Sequence, residues 1–521
     1  MWPLVISLCI LGTVLLLYLP PKRLLAIVLL LPLRGSLFIC VLPGKDSKKH
    51  SFSRLFLTML TLVLCIRLWS SFVPTRVEPF QQVVGVSRNW NGLLPVKLEF
   101  GLDSLSLWMV LLTARLMPLT VLCSWNTQNK HSQSFYRLLL ALESFLFRTF
   151  TRLDLFCFYV LYECALLPMF LLIGLGGSRA RKVRAAYLLV LYTLVGSLAM
   201  LPCLLLLYSR AGTTSYLLLN TLNIESSRQL ILWWGFFLAF AVKVPLMPLH
   251  LWLPEAHVER STAGSVLLAG VLLKLGTYGL LRFNLYLFPE RSTYLGPMVS
   301  TICLIGIIYA SLTTLRQVDL KKLVAYSSIA HMSMVVLALF TMNEVGILGS
   351  IFTMLAHGIR SPALFLCVGA LYDRTHTKAL KYLGGAATAM PLFSIWFFIF
   401  SLCNMALPLT PNFIGEFLSL CGIFANNSVS LIICLGGVIL SAVYTLWAYA
   451  RVVHGMPKIQ NLNGIADLNR REWCTLAVLA VIAVWWGLKP TAVTESLGSC
   501  VYYWQQCRLT VYEPALWALL F

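Results

Sequence analysis

Six ionisable residues lie inside long apolar runs of this sequence: Glu163, Lys243, Lys274, His331, His357 and Glu416. A charge in hydrocarbon is costly. Such residues therefore face a protein interior or a wet cavity, and they mark ion or proton paths. Burial favours the uncharged form of a glutamate or lysine, and a nearby opposite charge favours the charged form. A Glu–Lys pair can thus switch between ionic and neutral states when a neighbouring charge moves. Histidine changes charge near neutrality with little tuning. The chemistry these residue types support is stepwise proton transfer through the middle of a helix bundle. The competing reading is packing, and it is strongest for the two histidines. Arg148, Arg282 and Arg360 read as anchors within reach of a helix end or a neighbour. His250 opens a tight loop with Glu255 and His257. Their HxxxxExH spacing is not that of a zinc protease, so His250 is retained only as a further candidate on the proton path.

The elements that must position these groups are membrane helices. The 521 residues are 59% hydrophobic and 11% charged, with mean hydropathy +0.82. Continuous apolar runs of bilayer-spanning length recur along the whole chain. Such runs lack the alternation of a β-barrel. They predict fifteen segments, the first over residues 3–20, which reads as a retained helix rather than a cleaved signal. Pro245 and Pro248 follow Lys243, so its helix is predicted to break there. Pro408 and Pro411 predict a second broken helix over 388–424, just before Glu416. Broken helices beside charges are a feature of transporter cores. Residues 74–100 read as an extramembrane loop with a short strand, and 489–521 as an amphipathic tail at the interface.

The net charge of +21 would suggest nucleic acid for a soluble protein. Here the basic residues concentrate in loops that should share one side: 43–54, 125–133, 175–184, 249–261, 316–322, 372–381 and 451–471. The loops 209–227 and 285–292 hold few. This asymmetry places the basic side in the cytoplasm or matrix and excludes nucleic acid as the partner. Fifteen cysteines are scattered singly and read as small buried hydrophobes. No metal-ligand spacing or nucleotide fingerprint is present.

Several motifs carry a resemblance. They are Phe100-Gly101-Leu102-Asp103, the FYVLYECALLPMFLLIG run around Glu163, AFAVKVPLMPLHLWLPEAHVE and TAGSVLLAGVLLKLGTYG. SLTTLRQVDLKKLVAYSSIAHMS, HGIRSPALFLCVGALYDRTHT and NFIGEFLSL complete the set. Over about residues 24–488 the sequence resembles the antiporter-like membrane subunits of respiratory complex I (NADH:ubiquinone oxidoreductase), in particular the mitochondrial subunit 4 family.

That resemblance implies an all-α, polytopic bundle of about 14–15 transmembrane helices, with two inverted five-helix repeats and broken helices. It implies a proton-translocating subunit of the inner mitochondrial membrane, coupled to quinone reduction elsewhere in the complex. Glu163 and Lys243 would form a pair, Lys274 and His331 would continue a central axis, and Glu416 would stand at its distal end. His357 and His250 are the additional candidates. The chain itself would hold no cofactor or metal. FMN, iron–sulfur clusters and ubiquinone would belong to other subunits. Expected partners are other membrane-arm subunits, neighbouring antiporter-like subunits among them, and lipids such as cardiolipin. The expected division is an extra N-terminal segment (1–23), N-terminal helices and polar loop (24–133), a first repeat (134–284), a second repeat (285–452), and a C-terminal helix with tail (453–521). The sequence departs from the family pattern at Arg260-Ser261, where Ala-Pro is usual, and at Leu409-Thr410-Pro411. Stand-alone sodium–proton antiport and a purely structural membrane role are the competing functions.

Overall fold

The computed structural model describes residues 20–41, 47–74, 80–86, 98–125, 132–177, 181–220, 222, 224–456 and 466–502. The predicted segment 3–20 and the tail beyond 502 lie outside the described residues. Among the described residues, ten helices are long and apolar enough to cross a membrane. The chain is a multi-pass membrane protein. The predicted segments 24–42, 134–151 and 228–248 form the helices Pro21–Val41, Ser132–Thr151 and Ser226–Lys243.

Burial sorts the helices into two layers. The apolar windows of Thr262–Leu285 and Glu344–Thr375 are 100% buried, and those of Ser104–Cys123 and Leu320–Leu339 are 89% buried. Lys182–Ala211 and Gly296–Leu315 are only 39% buried, and Ser428–Val453 and Arg470–Leu488 only 33%. The four inner helices carry Lys274, His331 and His357, and the outer ones turn apolar side chains such as Leu191, Ile305, Ile432 and Val481 outward.

Glycines let the inner helices touch. A Cβ on Gly358 would lie 3.2 Å from the carbonyl oxygen of Gly270, so the Lys274 and His357 helices cross backbone to backbone. A Cβ on Gly415 would stand 2.8 Å from the Thr353 nitrogen, which seats the Glu416 helix on Glu344–Thr375. Small residues permit such approaches where hydrocarbon offers no hydrophobic drive.

Both broken helices form, and they break in the same way. Ser226–Lys243 ends at Lys243, and the Leu246 amide closes on the Ala241 carbonyl at 3.0 Å. Pro391–Asn404 ends at Asn404, and the Leu407 amide closes on the Leu402 carbonyl at 3.2 Å. The hydrogen bonds of the two breaks have the same spacing, which sets Lys243 against Asn404 and, counting on, Glu255 against Glu416. No matching residues in the sequence announced this echo. The stretch 249–261, read from the sequence as a polar loop, is instead the continuation of the first broken helix. Trp252–Glu259 is helical, with His257 at 0%, Glu259 at 4% and Arg260 at 2% exposure. Its polar residues turn inward because the helix packs beneath Lys182–Ala211 and against Leu320–Leu339.

The predicted extramembrane strand is one half of an antiparallel hairpin, Gln81–Val86 with Leu98–Leu102, in which Val84 faces Phe100. The hairpin leads to Asp103, the N-cap of Ser104–Cys123, whose Oδ1 accepts the Ser106 amide at 2.9 Å. Its Oδ2 receives Arg282 Nη2 at 2.6 Å, with the two side chains 1% and 4% exposed. Arg282 was read as an anchor near a helix end. It lies instead in a π-helical segment, Leu280–Leu285, which turns it inward onto Asp103, Ser106 and Tyr278. Removing one partner of a buried ion pair strands the other and costs about 3–5 kcal/mol. Arg282→Leu is therefore expected to reduce the folded, assembled protein on a native gel, and adding Asp103→Asn should recover part of it. Normal amounts of the single variant would contradict this assignment.

Candidate functional site

Lys274 follows a π-helical segment, Leu268–Leu272, inside a fully buried helix. Its Nζ donates to the Ala269 carbonyl and lies 2.8 Å from His357 Nδ1. The Gly270–Gly358 crossing places these two side chains together. The His357 and His331 rings follow, with centroids 6.4 Å apart. His331 Nδ1 is 3.0 Å from Glu416 Oε1. Asn412 Nδ2, one turn before Glu416, donates to the same oxygen. Lys274, His357, His331 and Glu416 are 0–5% exposed. Four side chains from four helices thus form one buried array, and His357 belongs to its centre.

The other two residues stand at the end of the first break. Lys243 Nζ donates to the Tyr162 carbonyl at 3.0 Å and lies 2.9 Å from the centroid of the Tyr162 ring. Tyr162 is held in turn, its hydroxyl donating to the Ala239 carbonyl at 2.9 Å. Glu163 is the next residue, yet no ion pair within 4.0 Å joins it to Lys243 among the described residues. Its Oε1 is buried without a hydrogen-bond partner there. The expected Glu163–Lys243 pair is therefore a neighbourhood rather than a contact. The helix break frees the ammonium to take a carbonyl and an aromatic face instead. Lys243 approaches the Lys274 helix closely, since a Cβ on Gly276 would lie 3.0 Å from the Val244 nitrogen.

His250 is not brought into the array. It is buried in the break, with its ring 5.8 Å from that of Tyr309 and 6.3 Å from that of Tyr326, and neither ring nitrogen has a hydrogen-bond partner among the described residues. Arg360, read from the sequence as an anchor, is instead at the heart of the array. Its Nη1 is 3.2 Å from His331 Nε2 and donates to Asn404 Oδ1 at 2.5 Å and to the Asn404 carbonyl at 3.1 Å. The Tyr444 hydroxyl is 3.3 Å from the same His331 nitrogen. Sequence reasoning also passed over Tyr162, Asn404, Asn412 and Tyr444. One signal was available: Arg360 lies three positions after His357 on one helix and so shares its face. The uncharged residues carried none.

The arrangement can hold and pass protons. Each of the four array members has a partner within hydrogen-bond distance, all are shielded from bulk solvent, and three bases lead to one acid.

Residues 153–442 match the family model described as NADH:quinone oxidoreductase/Mrp antiporter, TM, a span that contains both breaks and all the array residues. NADH-ubiquinone oxidoreductase chain 4 of Marchantia polymorpha is 45% identical over 473 residues, covering 91% of this chain and 95% of its own length. The protein of the same name from Arabidopsis thaliana is 44% identical over 473 residues, with the same coverage of 91% and 95%. A chain of respiratory complex I from Thermus thermophilus with bound NADH superposes with TM-score 0.83 at 28% identity, covering 93% of this chain and 99% of that one. A chain of the Mrp complex from Dietzia sp. DQ12-45-1b shares the fold, with TM-score 0.80 at 19% identity over 93% of this chain and 52% of its own. With the family model spanning both breaks and relatives this similar along nearly its whole length, the chain belongs to the NADH:quinone oxidoreductase/Mrp antiporter family, within the group of NADH-ubiquinone oxidoreductase chain 4.

Proposed function

We propose that this chain moves protons within the membrane arm of NADH:ubiquinone oxidoreductase in the mitochondrial inner membrane. The path runs along Glu163, Lys243, Lys274, His357, His331 and Glu416, and its movement is driven by quinone reduction elsewhere in the complex. Electron carriers (FMN, iron–sulfur clusters, ubiquinone) belong to partner subunits, and this chain supplies only the proton step. Other membrane-arm subunits, neighbouring antiporter-like ones among them, and anionic lipids such as cardiolipin surround it. The observation that carries the reading is the buried run from Lys274 through His357 and His331 to Glu416, with end contacts of 2.8 and 3.0 Å.

The chemistry follows from the partners. The Lys274 ammonium can hand a proton to His357 Nδ1, and His331 Nδ1 can hand one to Glu416 Oε1. A lysine held by carbonyls and an aromatic face, as Lys243 is, carries no fixed counter-ion. Its charge state can respond to Glu163, one residue from its anchor. Glu416 sits just after the second break, where backbone groups outside regular helix can hold water and connect a carboxylate to a surface.

Glu416→Gln keeps shape and most hydrogen bonding but cannot release a proton. It should leave a fully assembled complex whose proton flux per assembled complex drops at least about tenfold, the floor set below the about 10²–10⁴ that a missing proton-transfer group can cost. Normal flux per assembled complex would defeat the reading. For Lys243, the Tyr162 ring should supply part of the hold, since a desolvated cation–π contact is worth about 2 kcal/mol. Tyr162→Phe should preserve flux, whereas Tyr162→Leu should lower it several-fold without loss of assembly. Equal flux in the two variants would show that the ring does not position Lys243.

A further inference from the structure

Arg360 stands inside the array without being one of its proton carriers. It is 1% exposed and extends from the helix that carries His357. The groups that face it come from every neighbouring element: His331 and Tyr444, Asn404 and Cys403, Glu416, and Lys274 beside His357. A guanidinium only donates hydrogen bonds and keeps its proton in proteins.

These facts fix the histidines. Because Arg360 Nη1 donates at 3.2 Å, His331 Nε2 must present its lone pair, and the Tyr444 hydroxyl at 3.3 Å faces the same lone pair. The His331 proton is then on Nδ1, 3.0 Å from Glu416 Oε1. On the other side, Lys274 Nζ lies 2.8 Å from His357 Nδ1; with an ammonium there as the donor, the His357 proton is on Nε2. The nitrogen of His331 left open to a proton from His357 is then Nε2, across rings whose centroids are 6.4 Å apart. That nitrogen is the one Arg360 covers.

We propose that Arg360 is a positioning residue that holds His331 in its Nδ1–H form and closes the step from His357 to His331 until the guanidinium moves fully onto Asn404. The assignment rests on the proton-path reading above. Asn404 is built for the second position, because its side-chain and main-chain oxygens both already accept Nη1. When Nη1 withdraws, an N–H bond forms at His331 Nε2 as the Nε2–H bond of His357 breaks, directly or through water. The Nδ1–H bond of His331 breaks as Glu416 takes that proton, and the Lys274 ammonium refills His357. The net change is one proton moved from Lys274 to Glu416, with each imidazole left as its other tautomer, and no electron moves. The matching breaks give the arrangement a rationale. The first helix ends on a lysine, which brings its own cation, and the second ends on Asn404, an amide that recruits the cation of Arg360.

The test uses Arg360→Lys, Arg360→Met and Asn404→Leu in the intact complex. Assembly is read on a native gel, and proton flux per NADH oxidised is read between about pH 6 and 8, the range in which imidazoles change charge. Arg360→Lys should keep the wild-type pH profile. Arg360→Met should assemble but depart from the wild-type pH profile, because nothing then covers His331 Nε2 and either tautomer can form. Asn404→Leu removes the side-chain oxygen that draws Nη1 away and should lower flux about tenfold, equivalent to about 1.4 kcal/mol on the barrier, at normal assembly. A wild-type pH profile in assembled Arg360→Met, or normal flux in Asn404→Leu, overturns the proposal. If Arg360→Met does not assemble, Asn404→Leu alone decides. Should Glu416→Gln abolish flux while these variants behave as wild type, only the Arg360 assignment falls; should Glu416→Gln pump normally, the proton path itself falls.

Discussion

Buried cations in this protein are solvated chiefly by backbone carbonyls. With 40 basic residues and only 19 acidic ones, carboxylates cannot partner every charge that folding removes from water. Lys243 uses the Tyr162 carbonyl, Lys274 that of Ala269, Lys321 that of Arg260, Lys378 that of Val258, and Arg360 that of Asn404. Carbonyl dipoles can replace the hydration shell of a cation, but a regular helix has already committed its carbonyls. The broken helices, the π-helical segments and the helix ends are where the uncommitted ones arise. Irregular backbone and buried charge thus require one another. An ammonium held by a neutral carbonyl can also lose its proton without stranding an anion.

The same device joins the two halves of the molecule. Lys321 and Lys378 donate at 3.0 and 2.7 Å to the last carbonyls of the short Trp252–Glu259 helix and its cap, and Lys322 pairs with Glu255 at 2.7 Å. The segment after the Lys243 break is therefore clamped by residues from the start of the His331 helix and the turn after the His357 helix. Cations near a helix C-terminus also meet its negative dipole end. These residues were read from the sequence as part of a basic exposed loop system, and the structure uses three of them as ties.

What was legible in the sequence was local. Proline beside lysine or glutamate announced both breaks, and charge inside apolar runs announced Lys274, His331, His357 and Glu416. The pairings were not legible. Lys274 meets His357 across 83 positions because Gly270 and Gly358 let two backbones touch, and nothing near either residue encodes that crossing. Arg282 and Arg360 were discounted because a long side chain can usually snorkel, a rule that fails when the whole helix is enclosed. The expected Glu163–Lys243 pair makes no ion pair within 4.0 Å among the described residues, because the break offers the ammonium a carbonyl and a ring at short range. Asn404 could be recognised as the counterpart of Lys243 only once the two turns were compared in three dimensions.

The backbone contact between Gly270 and Gly358 constrains how this molecule can move. Where two helices meet through side chains, the chains can change rotamer and the helices can slide. Where main chain rests on main chain, there is no compliant layer between them, and tightly packed interiors deform little. The Lys274 and His357 helices therefore act as a rigid chassis. The freedom left at this crossing lies in the torsions of the long side chains that meet beside it, Lys274 and His357.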